Sequence, residues 1–275
     1  MNLFRGFYGF ARDIYENRFV LGQLVKRDFK NRYLGSFLGF LWTIIQPIVM
    51  IVVLWAVFIL AFNSGPVIGP NGQEIPFIAW FAIGVITWNF FAEACVTSTN
   101  VFQEYSYLVK KINFKIAILP IVKLLSSFVT HLVFLAIIIG ILLFKGVPIT
   151  LQWVQVIYYV GAMMMLLLGL SWITSCLQVF IKDITQLVGI VLQFGFWLTP
   201  IAWNFSIVPQ KWQFWFKLNP MFYIIDGYRK SFLFEQWAWE DQQLMGLYFW
   251  LVTFIILIIG VVLFRKLRPS FADVL

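Results

Sequence analysis

Few side chains in this sequence have the type and spacing for proton or covalent chemistry. His131 is the only histidine, and it stands in an apolar stretch with no His, Cys or acid at ligand spacing. A lone histidine there suits a helix-packing polar group better than a catalyst or metal ligand. Cys95 and Cys176 also sit inside apolar runs without paired spacing, so they read as small buried side chains rather than a disulfide or a metal site. No Gly-Lys dipeptide occurs, which removes the phosphate-cradling P-loop. Neither a Gly-x-Ser-x-Gly elbow nor a selectivity-filter motif is present. Glu93 and Lys123 are ionisable groups within apolar runs. Two readings are open for them: a polar cavity with pairing across helices at similar depth, or, for Lys123, snorkelling to the headgroups.

The remaining candidates are cations. Lys26, Arg27, Lys30 and Arg32 crowd around Asp28, and no further Lys or Arg follows until Lys110. On a helical wheel Leu21, Leu24, Val25, Phe29 and Tyr33 share one arc, and Gln23, Lys26, Arg27, Lys30 and Asn31 share the opposite one. The pattern predicts an amphipathic helix lying on the inner membrane surface, leucines and rings down. Asp28 and Arg32 interrupt the apolar arc at i,i+4 spacing and can pair with each other.

The elements that must position these groups are set by composition. The chain of 275 residues is 61% hydrophobic and 12% charged, with a formal net charge of +8. In a soluble protein that charge would suggest nucleic acid; here the positive-inside rule accounts for it, and no nucleic-acid partner is expected. Apolar runs predict spans at about 37–62, 76–96, 116–144, 151–180, 186–203 and 244–264. Placing both termini, the 98–115 loop and Lys182 on one side gathers most of the Lys and Arg there, which makes that side cytoplasmic. Residues 205–241, SIVPQKWQFWFKLNPMFYIIDGYRKSFLFEQWAW in the main, are too apolar for a solvated loop and too broken by Pro209, Pro220 and Gly227 to cross. Two short helices turning at Asn219-Pro220, dipping into or lying on the outer leaflet, fit them. An interfacial aromatic belt accounts for many of the rings.

The expected fold is thus an all-α integral membrane protein. It has a cytoplasmic segment 1–36 with an interface helix, a six-span domain 37–264 with re-entrant outer helices before the last span, and a tail 265–275. No buried acid near the midplane or repeated broken half suggests an ion-coupled carrier, so an energy source must come from elsewhere or none is needed.

Two stretches carry a family resemblance. RDFKNRYLGSFLGFLWTIIQP (27–47) and LNPMFYIIDGYRKSFL (218–233) resemble the approach to the first span and the Asn-Pro…Tyr-Arg signature of permease subunits of ABC-type polysaccharide exporters. The likeness is greatest to O-antigen exporter permeases and covers essentially the whole chain. It implies a homodimer bound to two ATP-binding cassette subunits, in the bacterial inner membrane, moving an undecaprenyl-diphosphate-linked polysaccharide to the periplasm. This chain would then be no enzyme and hold no cofactor or metal, ATP and Mg being bound by the partner subunit.

The resemblance also assigns residues. VFQEYSYLVKKINFK (101–115) is expected to dock on the ATPase through Glu104, Tyr105, Leu108, Lys110 and Lys111; a plain cytoplasmic loop is the alternative. Lys26, Arg27, Lys30 and Arg32 would border the ATPase at headgroup level, where cations suit the lipid diphosphate. Trp55, Phe58 and Phe62 on the first span and Phe194 and Trp197 on the fifth would form a sugar-contacting belt, with ordinary lipid-facing or interhelical packing as the alternative. Asn219, Pro220, Tyr228 and Arg229 would shape the exit. Teichoic-acid or capsule export, a membrane-embedded glycan-modifying enzyme, and a passive pore or structural membrane subunit are the competing functions.

Overall fold

The computed structural model describes residues 12, 14–32, 37–61, 63, 65–70, 72–111, 114–241 and 243–275. Among them the chain forms helices α1 (Arg18–Asn31), α2 (Leu41–Leu60), α3 (Phe77–Thr99), α4 (Val101–Glu104), α5 (Ser106–Val109), α6 (Leu119–Phe144) and α7 (Gln155–Phe180). These are followed by α8 (Ile184–Leu198), α9 (Gln210–Lys217), α10 (Pro220–Arg229), α11 (Ala238–Asp241), α12 (Gln243–Leu267) and α13 (Phe271–Val274). A small antiparallel hairpin, β1 (Val67–Ile68) and β2 (Glu74–Ile75), joins α2 to α3.

Among the described residues four helical stretches are long and apolar enough to cross a bilayer: Phe77–Thr99, Ile116–Phe144, Leu151–Phe180 and Gln243–Ser270. The other two expected spans are shorter. In α8 the helix stops at Leu198, because Thr199 precedes Pro200 and takes extended backbone angles. Its 15 residues reach about 22 Å, against a hydrocarbon core of roughly 30 Å. The apolar portion of α2 is Ile44–Leu60, with Pro47 inside the helix.

The central helix is α3, which packs on α6, α7 and α10, while α12 runs along α7. Gly169 of α7 and Gly260 of α12 set that last crossing. A Cβ on Gly260 would stand 2.8 Å from the Gly169 carbonyl oxygen, so the two backbones approach as only small residues allow. A large apolar core surrounds α3, and a second cluster gathers where α1, α4 and α5 meet α6, α7, α12 and α13.

The second cluster corrects the expected placement of α1. Leu21 and Leu24 do not lie on lipid; they are buried with Val101, Phe102, Leu108, Val122 and Phe271. The amphipathic arc was legible, but the apolar partner is protein. Tyr33, the last residue of that arc, lies outside the described residues. In the expected outer segment two short helices do form, α9 and α10. No residue of α9 is buried, whereas α10 is buried along most of its length.

Candidate functional site

The chemistry-bearing residues converge where α1 crosses α3, α4 and α6. Lys123 of α6 reaches Asp28 of α1 at 2.6 Å and Glu104 at the end of α4 at 2.5 Å. Asp28 also accepts from the Tyr105 hydroxyl at 3.0 Å and from Arg32 Nε at 3.3 Å. Arg32 carries the chain onward: Nη1 bonds Glu93 of α3, and Nη2 donates to Ser127 Oγ of α6 at 3.2 Å. Two cations and three carboxylates therefore form one continuous ionic chain. Its middle is dry, since the Lys123 and Asp28 side chains keep only 6% and 4% of their exposure, while Glu104 at 49% meets water.

This arrangement explains an acid in an apolar arc. Burial alone pushes the Asp28 carboxyl up; the Lys123 hydrogen bond and charge, with Ser126 and Arg32 behind them, reverse this and hold it below its ordinary 3.8. Burial and the adjacent Asp28 charge push the Tyr105 phenol above its ordinary 10.0, so it stays a neutral donor. Lys123 does not snorkel, and Glu93 and Lys123 do not pair with each other. Each instead pairs with α1, and Asp28 and Arg32 join the two pairs.

The short helices α4 and α5 are fixed by this chain and by polar contacts to α7 and α8. Gln178 of α7 donates to Gln103 of α4 at 2.8 Å, and Thr185 of α8 donates to Asn100, the residue before α4, at 2.7 Å. Of the residues expected on the 98–115 loop, Tyr105 and Leu108 are buried and face inward, while Glu104, Lys110 and Lys111 are exposed. The break at Asn100 rotates the following turns, and this brings Tyr107, which the sequence reading missed, to the surface beside Arg27. The Arg27 guanidinium lies 5.9 Å from its ring centroid. Lys26, Arg27 and Lys30 are exposed on α1. Arg32 departs from that trio, because Glu93, Asp28 and Ser127 draw it inward.

At the other end of α3, the 218–233 residues build a fixed corner. Asn219 caps α10 by accepting from Met221 N at 3.0 Å and donates through its amide to Thr199 Oγ1 at 2.7 Å. Pro220 occupies the first turn, where its missing N–H costs nothing. Tyr228 is buried, its hydroxyl 2.9 Å from His131 Nε2. That histidine stacks on Phe90 at 4.4 Å, so it is a packing group. Arg229 is also buried, with its guanidinium 3.5 Å from the Trp80 ring centroid. It donates to the carbonyls of Pro200 at 2.7 Å, Ile201 at 2.9 Å and Trp80 at 3.4 Å.

The aromatic candidates do not meet in one place within the chain. Phe58 packs on Phe77 and Phe81 at 5.6 and 6.2 Å between ring centroids, and Trp55 is half-buried against the large core. Phe62 lies outside the described residues. Trp197 lines a groove of about 610 Å³ between α2, α3 and α8, together with Trp88, Phe196, Asn89 and Gln193. Phe194 is exposed outside that lining.

Residues 20–233 match the family model described as ABC-2 type transporter. Two O-antigen export system permease proteins RfbA of Klebsiella pneumoniae are 25% and 26% identical over 258 residues, 93% of this chain and 95% of each relative. The RfbA permease of Myxococcus xanthus is 27% identical over 269 residues, 96% of this chain and 98% of that protein.

Proposed function

The chain belongs to the ABC-2 type transporter family, and we propose that it is the membrane half of an ATP-driven exporter of O-antigen-like polysaccharide carried on undecaprenyl diphosphate. Both termini face the cytoplasm, α2 and α8 complete a set of six crossings, and α9 and α10 form the re-entrant outer segment. The substrate moves from cytoplasm to periplasm across the bacterial inner membrane. Two copies of this chain pair, and each binds a separate ATP-binding cassette subunit that holds ATP and Mg.

One observation carries this reading. The exposed edge of α4 and α5, with Glu104, Tyr107, Lys110 and Lys111, is bound through Lys123 and Asp28 to α6 and α1 and through Arg32 to α3. A push received on Glu104 reaches three other helices through charge-assisted bonds. Such a device suits a permease whose motor is another polypeptide, because it ties the exposed edge to the spans as well as stabilising the fold. Lys26, Arg27 and Lys30, exposed on α1 beside this edge, suit the diphosphate of the lipid carrier. The groove holding Trp88, Phe196 and Trp197 offers ring faces on which sugars slide without a fixed hydrogen-bond pattern, and a second copy closes it into a conduit.

Depletion of the protein in its native cell, followed by fractionation of lipid-linked glycan, tests the proposal. Full-length polymer trapped on its carrier at the cytoplasmic face is the expected result. Normal export of a polymer lacking one modification would instead identify a glycan-modifying enzyme.

A further inference from the structure

The helix α4, whose last residue Glu104 joins the ionic chain, is only four residues long. A single turn cannot hold its direction by its own hydrogen bonds, so the contacts on its two sides must set it. Phe102 and Glu104 are two positions apart and therefore point to nearly opposite faces of the turn. Glu104 turns to Lys123 and to water. Phe102 is wholly buried, and the rings it meets belong to residues 264 and 271.

Phe271, the first residue of α13, stands 5.0 Å from Phe102 between ring centroids, and Phe264 of α12 stands 6.0 Å from it. Phe271 also meets Phe264 and Phe180, the last residue of α7, each at 6.1 Å. All four distances lie within the range of attractive aromatic pairs. Phe264 and Phe271 are seven residues apart, so they share one face of the helical stretch that runs from α12 through the turn Arg268–Ser270 into α13. Phe271 takes part in three of these four contacts and is itself wholly buried. One ring thus touches rings from α4, α7 and α12.

The ionic chain leads from Glu104 to α6, α1 and α3, and Gln103 ties α4 to α7 through Gln178. Neither route includes α12. Close-packed rings have no slack, so a shift of α4 either carries Phe271 and α12 with it or opens a void between them. The motion then spreads to α7 along the tight Gly169–Gly260 crossing. Phe271 lies beyond residues 20–233, the stretch that matches the family model. We infer that Phe271 is a positioning residue that fastens α4 to α12, so that a displacement of the ATPase-facing edge is passed to the last span as well as to the ionic chain. The inference rests on the exporter reading above.

The test uses the full chain with its ATPase subunit. It reads the ATPase that co-purifies, the ATP hydrolysed in nanodiscs, and the glycan at the surface of native cells at equal protein level. Phe271→Ala should keep ATPase binding and hydrolysis within about twofold and lower surface glycan at least fivefold, so that glycan exported per ATP falls. Phe271→Leu, which keeps apolar cover at the site, should restore at least half of the wild-type ratio. Phe249→Ala removes another wholly buried ring of α12, one that stacks on Tyr223 of α10. It should leave the ratio within about twofold even where it lowers the unfolding midpoint as far. An unchanged ratio in Phe271→Ala, an equal fall in Phe249→Ala, or loss of ATPase binding at an unchanged unfolding midpoint would each overturn the inference. A milder pair serves where the alanine variant does not fold. Phe102→Leu and Phe271→Leu remove the same ring contact, so the double variant should lower the ratio no further than the stronger single, and multiplying losses would overturn the inference. The depletion experiment keeps the two ideas apart. Surface glycan that persists on depletion removes the exporter reading and this inference with it, whereas polymer trapped on depletion with an unchanged ratio in Phe271→Ala removes this inference alone.

Discussion

Replacing Lys123 by methionine removes the charge at the centre of the ionic chain and keeps the length of the side chain. The Lys123 and Asp28 side chains are 6% and 4% exposed, and losing one partner of a buried pair costs about 3–5 kcal/mol. The lower end applies here. Asp28 retains the Tyr105 hydroxyl at 3.0 Å and Arg32 Nε at 3.3 Å, and half-exposed Glu104 turns to water at little cost. Lys123→Met is therefore expected to destabilise by about 3 kcal/mol. Asp28→Leu, which leaves Lys123 to Glu104 alone, should cost a similar amount. The double variant should cost about 4 kcal/mol, since Asp28→Leu in the Lys123→Met background removes a carboxylate that has lost its main cation but still forfeits the Tyr105 and Arg32 bonds; the coupling is then about 2 kcal/mol. Unfolding of the purified protein in mixed SDS–dodecylmaltoside micelles, followed by tryptophan fluorescence, measures all corners of the cycle. A double variant costing about 6 kcal/mol, the sum of the singles, refutes the pairing. So does a Lys123→Met loss below about 1 kcal/mol.

The same assay has a pH signature. The folded Asp28 carboxyl lies below its ordinary 3.8, so its contribution is fully present above that pH and is lost as pH falls through the depressed value. The unfolding midpoint should decline only below about pH 4 in wild type; in Lys123→Met, where burial of the carboxyl has lost its main opposition, that decline should shrink or reverse, because a carboxyl pushed up by burial holds its proton more tightly folded than unfolded and gains stability as pH falls. Gly227→Ala drives a methyl group into the buried Tyr159 ring and should cost about 2–3 kcal/mol; Tyr159→Leu in the same chain should recover at least half, measured by the same unfolding curves. On the exposed edge, Tyr107→Glu with Lys110→Glu should cut co-purification of the ATPase subunit at least tenfold while leaving the unfolding midpoint unchanged. Leu108→Ala, inside the cluster, should instead lower stability by about 2–4 kcal/mol, and the reverse pattern would show that the exposed and buried faces are wrongly assigned.

Local signals were readable and long-range ones were not. The arc of Leu21 and Leu24 fixed α1 as an amphipathic helix, but periodicity says only that a face is apolar, never what covers it. Asp28 and Arg32 showed their i,i+4 spacing, yet their stronger partners lie 95 and 61 residues away, beyond any pattern along the chain. The Asn219-Pro220 turn was legible because an N-cap followed by proline is a local arrangement. His131 and Tyr228 are 97 residues apart, and nothing in either neighbourhood announces the other. Tyr105 and Tyr107 illustrate a phase error: α3 breaks at Asn100, and the turns after it no longer follow the helix before it. The fifth span was drawn by hydrophobicity to residue 203, whereas Pro200 ends the helix for a backbone reason that a hydropathy window does not see.

The ionic chain also imposes an order on synthesis. Asp28 leaves the ribosome 95 residues ahead of Lys123, a delay of roughly 5–20 s at the usual elongation rates of about 5–20 residues per second. During that interval α1 lacks its cation from α6 and the part of its apolar bed that α6 supplies, Leu119 and Val122, and it must wait at the membrane surface while α2 and α3 are inserted. The arrival of α6 then supplies charge and apolar cover together. A nascent chain that mis-inserts α6 cannot seat α1, so a helix made ahead of all the spans is docked only after α6 arrives, and its docking reports that α6 has been threaded correctly.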